Sequence, residues 1–149
     1  MAILQKVSHG EPNWDGKVNA IIDAVNTQGT AISDLKPSEV TSEGLVFQNG
    51  FSLRSGGYQT ISLPDGGKIV SLKLQMKLNA DSALDNLAAV TVPAEFKNGL
   101  AYRYGNAGWG TTWSTDQYGI ITIGKIAGFT GKLGGGENSF YFVSTEFIV

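Results

Sequence analysis

The sequence predicts a mainly β protein, with a short N-terminal helix followed by an antiparallel β-sandwich or jelly-roll-like barrel. Three observations point there. The segment KIVSLKLQMKL alternates apolar and polar residues with period two. Glycine is abundant, at 20 of 149 residues, so tight turns are frequent. Charged residues make up only 16% of the chain while aromatics reach 10%. That charge content lies below the roughly 25% of an average soluble domain and far from the charged, aromatic-poor composition of disorder.

The helix comes first. In WDGKVNAIIDAVNTQ, residues 14–28, Val18, Ile21, Ile22 and Val25 follow the i, i+3, i+4, i+7 spacing of one helical face. Asp15 is placed to cap its start and Gly29 to end it. About four turns are marginal alone in water, so the apolar stripe needs a partner. Two partners fit: the chain's own domain, or further copies of the same helix in a bundle of about three. The following stretch, TAISDLKPSEVTSE, has a connector's composition. Residues 1–29 therefore form one unit, 30–43 a linker or neck, and 44–149 a β domain.

Within the β domain, Val70, Leu72, Leu74, Met76 and Leu78 alternate with Ser71, Lys73, Gln75 and Lys77. This predicts a half-buried antiparallel strand with one wet face. The preceding YQTISL leads into PDGG, a hairpin-turn sequence. Further short strands are expected at LVFQNGFSL, AAVTV, LAYRY, GIITIGKIA and FYFVSTEFIV, and one helical turn capped by Asp81 at DSALDNL. Six or more short strands between glycine turns suit a sandwich or barrel.

Composition also excludes function classes. The formal net charge is -2 and no basic run occurs, which argues against a nucleic-acid grip. No apolar stretch reaches the roughly 18 residues of a membrane span, so no membrane insertion is expected. The N-terminus lacks the pattern of a secretory signal, so cytoplasmic synthesis is expected. There is no Cys and one His, His9. Thiolate metal sites, Cys-His pairs and multi-His metal sites are thereby ruled out, His9 near the N-terminus reads as a surface residue rather than the base of a Ser-His triad, and no cofactor is expected. Carboxylate-pair hydrolysis stays open in principle, but no pair is flagged among Asp65, Asp81, Asp85, Glu95, Asp116, Glu137 and Glu146. The GGG at 134–136 is not followed by the Lys-Ser/Thr of a phosphate loop and reads as a turn.

Function concentrates toward the C-terminus. Residues 100–149 carry ten of the fifteen aromatics and only six charged residues. The window YRYGNAGWGTTWSTDQYG holds Tyr102, Arg103, Tyr104, Asn106, Trp109, Trp113 and Asp116 among glycines. Glycines 105, 108 and 110 place Trp109 in a loop. A sugar ring has apolar C–H faces and a hydroxyl edge. Flat indoles and phenols cover the face at little entropic cost, while Asp, Asn and Arg hydrogen-bond the edge. Each aromatic could equally serve the core or a subunit interface, Trp113 above all.

Two stretches carry a family resemblance. The opening MAILQKVSHGEPNWDGKVNAIIDAVNTQ and the later VTVPAEFKNGLAYRYGNAGWGTTWSTDQYGIITIG resemble the receptor-binding proteins at the baseplate of long-tailed phages of lactic acid bacteria and related Gram-positive hosts. The most specific match is Val-Pro-Ala-Glu-Phe at 92–96, followed by a Gly-Trp loop and a strand from Gly119 to Ile123. The resemblance implies a homotrimer at the virion tail tip: an N-terminal helical shoulder that docks on other baseplate proteins, a neck, and a β head that binds host cell-wall polysaccharide. It transfers saccharide contacts to Trp109 and Asp116; the local window adds Arg103 and Asn106 as supporting hydrogen-bond groups, and Tyr104 and Trp113 as either further platforms or core. The apolar stripe of Val18, Ile21, Ile22 and Val25, on a helix too short to stand alone, is the expected subunit interface of that trimer. The chain departs from longer members in having too short a segment between helix and head for a full β-prism neck. Its head also lacks the histidine that the family uses. The leading expectation is a non-catalytic adhesin. The rivals are a small glycan-cleaving enzyme and a structural tail or baseplate subunit.

Overall fold

The computed structural model describes residues 14–134 and 139–149. His9 and the rest of the opening residues, and most of the loop at 134–138, lie outside them, as does the side chain of Asp15. The architecture is a helix followed by a sandwich of two antiparallel sheets, as the alternating pattern and glycine turns predict.

Helix α1 runs Trp14–Asp34. It passes through Gly29, which does not end it as expected, and takes in the first residues of the stretch read as linker. A single glycine costs an interior helix only about 1 kcal/mol. The Thr30 hydroxyl also donates to the Asn26 carbonyl one turn back, at 3.0 Å, keeping its side chain within the helical pattern. Termination falls just before Lys36, whose α conformation is disfavoured by Pro37. The rest of the connection is docked on the sandwich. The Ser38 amide donates to the Thr60 carbonyl at 2.8 Å, and Thr41 pairs with Tyr58.

The first sheet has the order β2 (Phe51–Ser62), β3 (Lys68–Leu78), β8 (Phe140–Ile148). The second has the order β1 (Val46–Phe47), β4 (Asn86–Thr91), β7 (Ile120–Lys125), β6 (Thr111–Thr115), β5 (Tyr104–Gly108). The turn at PDGG joins β2 and β3. There the Asp65 carboxylate accepts from the Gly67 amide at 3.0 Å. LVFQNGFSL is split between β1 and β2, because Asn49 and Gly50 take left-handed conformations between them.

Two expected elements differ. DSALDNL forms no helical turn; a bridge at Ser82 to Leu133 pulls it into an extended path toward β4. LAYRY is not a strand. A 3-10 turn, Ala94–Phe96, leads into a short helix α2, Lys97–Leu100, and β5 begins only at Tyr104. Pro93 opens this segment with its fixed φ, and Leu100 and Phe96 are fully buried beneath it. Gly99 lies so close to the end of β8 that a Cβ there would fall 2.3 Å from the Ile148 carbonyl oxygen. Tertiary packing decides this segment over local β preference.

Val70, Leu72, Leu74, Met76 and Leu78 are all buried, and they join Val90, Ile121, Ile123 and Trp113 in one core. Lys73 is exposed and Lys77 half-buried on the opposite face of β3. A bulge between Leu53 and Ser55 resets the register of β2. Phe51 and Leu53 before it, and Tyr58 after it, then all pack on the core. The two sheets meet edge to edge where β5 lies beside β8 without a hydrogen-bond ladder between them.

Candidate saccharide-binding depression

The seam between β5 and β8 opens into a surface depression of about 430 Å³. Tyr102, Arg103, Tyr104 and Asn106 line it from the β5 side, Phe142, Ser144 and Thr145 from β8, and Trp113 from the interior. Neither edge strand is laddered to the other, so the seam presents open backbone together with side chains.

Trp113 reaches this seam because its neighbour on the edge strand has no side chain. It pairs across strands with Gly105 on β5 and Ile123 on β7. A Cβ at Gly105 would fall 2.7 Å from the indole nitrogen, so the nitrogen-bearing edge of the ring lies over Gly105. The residue is only 4% exposed. Its indole N–H finds no acceptor among the described residues. Since no sealed side-chain nitrogen or oxygen there lacks a partner, this N–H opens on the depression.

Arg103 is held by main-chain oxygens. Its Nε donates to the Gly99 carbonyl and one terminal nitrogen to the Glu146 carbonyl, both at 2.9 Å. Its own amide donates to the Thr115 hydroxyl at 2.9 Å. No carboxylate pairs with it among the described residues, so no side chain there neutralises its charge. The Asn106 side-chain oxygen accepts from the Gly108 amide at 2.6 Å, which turns the amide NH2 outward as a donor. Tyr104 is 83% exposed, a flat surface on the rim. Tyr102 is also exposed, and its hydroxyl donates to Gln117 at 3.1 Å.

Two members of the sequence-derived set lie elsewhere. Trp109 forms the tip of the β5–β6 hairpin with Gly110, both at positive φ, +48° and +74°. Paired positive φ values are those of a type I′ turn, where asparagine and glycine are usual and a tryptophan is strained. Trp109 is 81% exposed, as a loop residue should be, but it does not line the depression. Asp116 shapes a turn. Its Oδ1 accepts from the amides of Tyr118 and Ile120, each at 2.9 Å, and it too lies outside the depression. The structure thus brings together Arg103, Tyr104, Asn106 and Trp113, and leaves Trp109 and Asp116 apart.

Phe142, Ser144 and Thr145 were not singled out from sequence. They lie far along the chain from the aromatic window and meet it only across the seam. The alternation in FYFVSTEFI was the available signal, since it puts Phe142 and Ser144 on one face of β8.

Protein-family models, curated proteins and solved structures offer no match to this chain.

The lining has aromatic surface, a guanidinium, hydroxyls and amide donors, and no carboxylate or imidazole. Such a set stacks and donates hydrogen bonds. Among the described residues no group of three or more potential metal ligands occurs. The phenols with raised pKa are Tyr141, raised mainly by burial, and Tyr58, raised by burial and then by Glu43 and Glu95. Both lie outside the depression.

Proposed function

We propose that this protein is a non-catalytic receptor-binding protein of a phage baseplate, an adhesin that holds host cell-wall polysaccharide in the β5–β8 depression. The observation that carries this reading is the Trp113 indole, otherwise buried, with its free N–H at the wall of a depression rimmed by Tyr104 and Phe142. Aromatic faces suit the C–H faces of a sugar, and fixed donors suit its hydroxyls. The absence of a carboxylate or imidazole from that lining favours binding over hydrolysis. The phage context rests on the sequence resemblance.

A homotrimer fits the helix. Ile21, Val25, Ile32 and Leu35 are exposed, and Val18 is half-buried. Val18, Val25 and Ile32 recur every seven residues, with Ile21 and Gln28 at the alternate seam positions of the helix. The number of copies, three, rests on the sequence resemblance. Other baseplate proteins would then engage the N-terminal region.

Incubation with purified host cell-wall polysaccharide tests the function. Binding without new reducing ends is the expected result. New reducing ends would make the protein an enzyme, and neither outcome would leave a structural subunit. Tyr104→Ala should weaken binding by roughly tenfold, the loss of one stacking platform. Its melting temperature should stay unchanged.

A further inference from the structure

The β5–β8 depression does not end at β8. A second depression, of about 320 Å³, lies on the outer face of the first sheet, and Phe142 and Ser144 line both. A third, of about 200 Å³, adjoins the second through Gly56 and Lys73. Strand register explains the path. Ser55, Gln75 and Phe142 form one row across β2, β3 and β8, and Gly57, Lys73 and Ser144 form the next. Glycine and serine keep the floor low in both rows, while Phe142 and Lys73 stand up from it. Gly56 and Gly57 have their own reason to lack side chains. A Cβ at the first would fall 2.1 Å from the Lys73 carbonyl oxygen, and at the second 2.2 Å from that of Thr41.

The charge along this path has one sign. Arg103 lines the first depression and Lys73 the second and third, and no Asp or Glu lines any of them. Neither cation has a carboxylate partner among the described residues. Yet the whole chain is acidic, with 13 carboxylate residues against 11 Lys and Arg. One carboxylate on this face, Glu146, stands one row further along β8 and accepts at 3.3 Å from the hydroxyl of Ser71, a residue of the third depression. It bounds the path on that side. Donors along the path include the Trp113 N–H, the Asn106 amide, and the Gln75 amide, whose oxygen is engaged by the Ser55 hydroxyl at 2.9 Å, beside the hydroxyls of Ser144 and Thr145.

We propose that the three depressions form one groove, running across the strands, that binds an extended, negatively charged polysaccharide chain. This deepens the saccharide reading and rests on it. Three strands about 4.8 Å apart span roughly 10 Å before the seam is counted, more than a single ring needs. Arg103 and Lys73 sit at separated points along it, as repeated anionic groups on a polymer require. Cation-to-anion hydrogen bonds are the stronger kind, and partly exposed ones are screened by salt.

The test is a glycan array of neutral, uronate-bearing and phosphate-bearing bacterial polysaccharides at matched chain lengths, with single-stranded DNA as a non-sugar polyanion. The intact protein and its Lys73→Gln, Lys73→Arg and Lys132→Gln variants are compared. Binding should be confined to the acidic glycans, strengthen with chain length and weaken as salt rises. Lys73→Gln should lose roughly tenfold in affinity, Lys73→Arg should retain most of it, and Lys132→Gln, outside the groove, should match the parent. Equal binding of neutral chains, or a Lys73→Gln variant indistinguishable from the parent, overturns the anionic groove while leaving the saccharide reading in place. DNA bound more tightly than every glycan overturns the sugar specificity. No glycan binding by the parent overturns both readings.

Discussion

Arg103 and Asp116 stand thirteen positions apart and spend their charges differently. The guanidinium is oriented by neutral main-chain oxygens, which fix its geometry without neutralising it. The Asp116 carboxylate instead satisfies two backbone amides of its own turn. Asp116→Ala should therefore act on stability, costing about 1–3 kcal/mol for hydrogen bonds to a charged acceptor. Urea denaturation measures this, and saccharide affinity should barely change. An unaltered stability with lost binding would return Asp116 to the site. Sequence could not separate these two residues, because both are polar groups beside aromatics in one window. What distinguishes them is which strand edge faces β8, a tertiary fact. The glycine at 105 carried part of the answer, since a bare edge-strand position opposite a tryptophan gives the indole somewhere to lie.

At the scale of elements, β3 was the most legible because its two faces meet different media. Leu74 is buried against Val143 and Gly56 in the ladder, while Lys73 beside it is exposed. Leu74→Ala should cost roughly 2–5 kcal/mol. Lys73→Ala should change stability by less than about 0.5 kcal/mol. Thermal unfolding of the pair checks both, and comparable losses would mean that the face is misassigned. The segment leading into β5 was less legible. Leu100, Tyr102 and Tyr104 alternate as a strand would, yet Leu100 ends α2, because Gly99 and Arg103 are drawn onto the end of β8. Nothing local in LAYRY announces that docking. Helix α1 was legible in its stripe but not in its length, since Gly29 resembles a stop and Pro37 supplies one.

At the scale of the whole molecule, α1 and the sandwich make different demands. The sandwich buries its own core, whereas the helix has no extended contact with either sheet among the described residues. In the proposed trimer its apolar stripe packs against other copies of the chain. Ile21→Asp would place an unpaired charge in that seam, weakening assembly by about 3–5 kcal/mol if the seam is fully buried. Sedimentation equilibrium should show a trimer for the parent and monomer for the variant, with the sandwich still folded. A monomeric parent at micromolar concentration would remove the basis for the trimer. The proposed groove is lined by residues of β2, β3, β5, β6 and β8, by Tyr102 and Arg103 ahead of β5, and by Val40 of the connection, and α1 supplies no residue that lines it.

The central claim is that saccharide is held against Trp113, and the indole N–H signals of the three tryptophans, Trp14, Trp109 and Trp113, read it directly. Trp109→Phe assigns the hairpin signal, and host cell-wall polysaccharide is titrated into the isotope-labelled protein. The Trp113 indole resonance should move in proportion to occupancy, because its free N–H faces the depression, while those of Trp109 and Trp14 stay in place. Saturable binding that leaves Trp113 unmoved and shifts Trp109 instead would contradict the account and place the ligand on the hairpin tip.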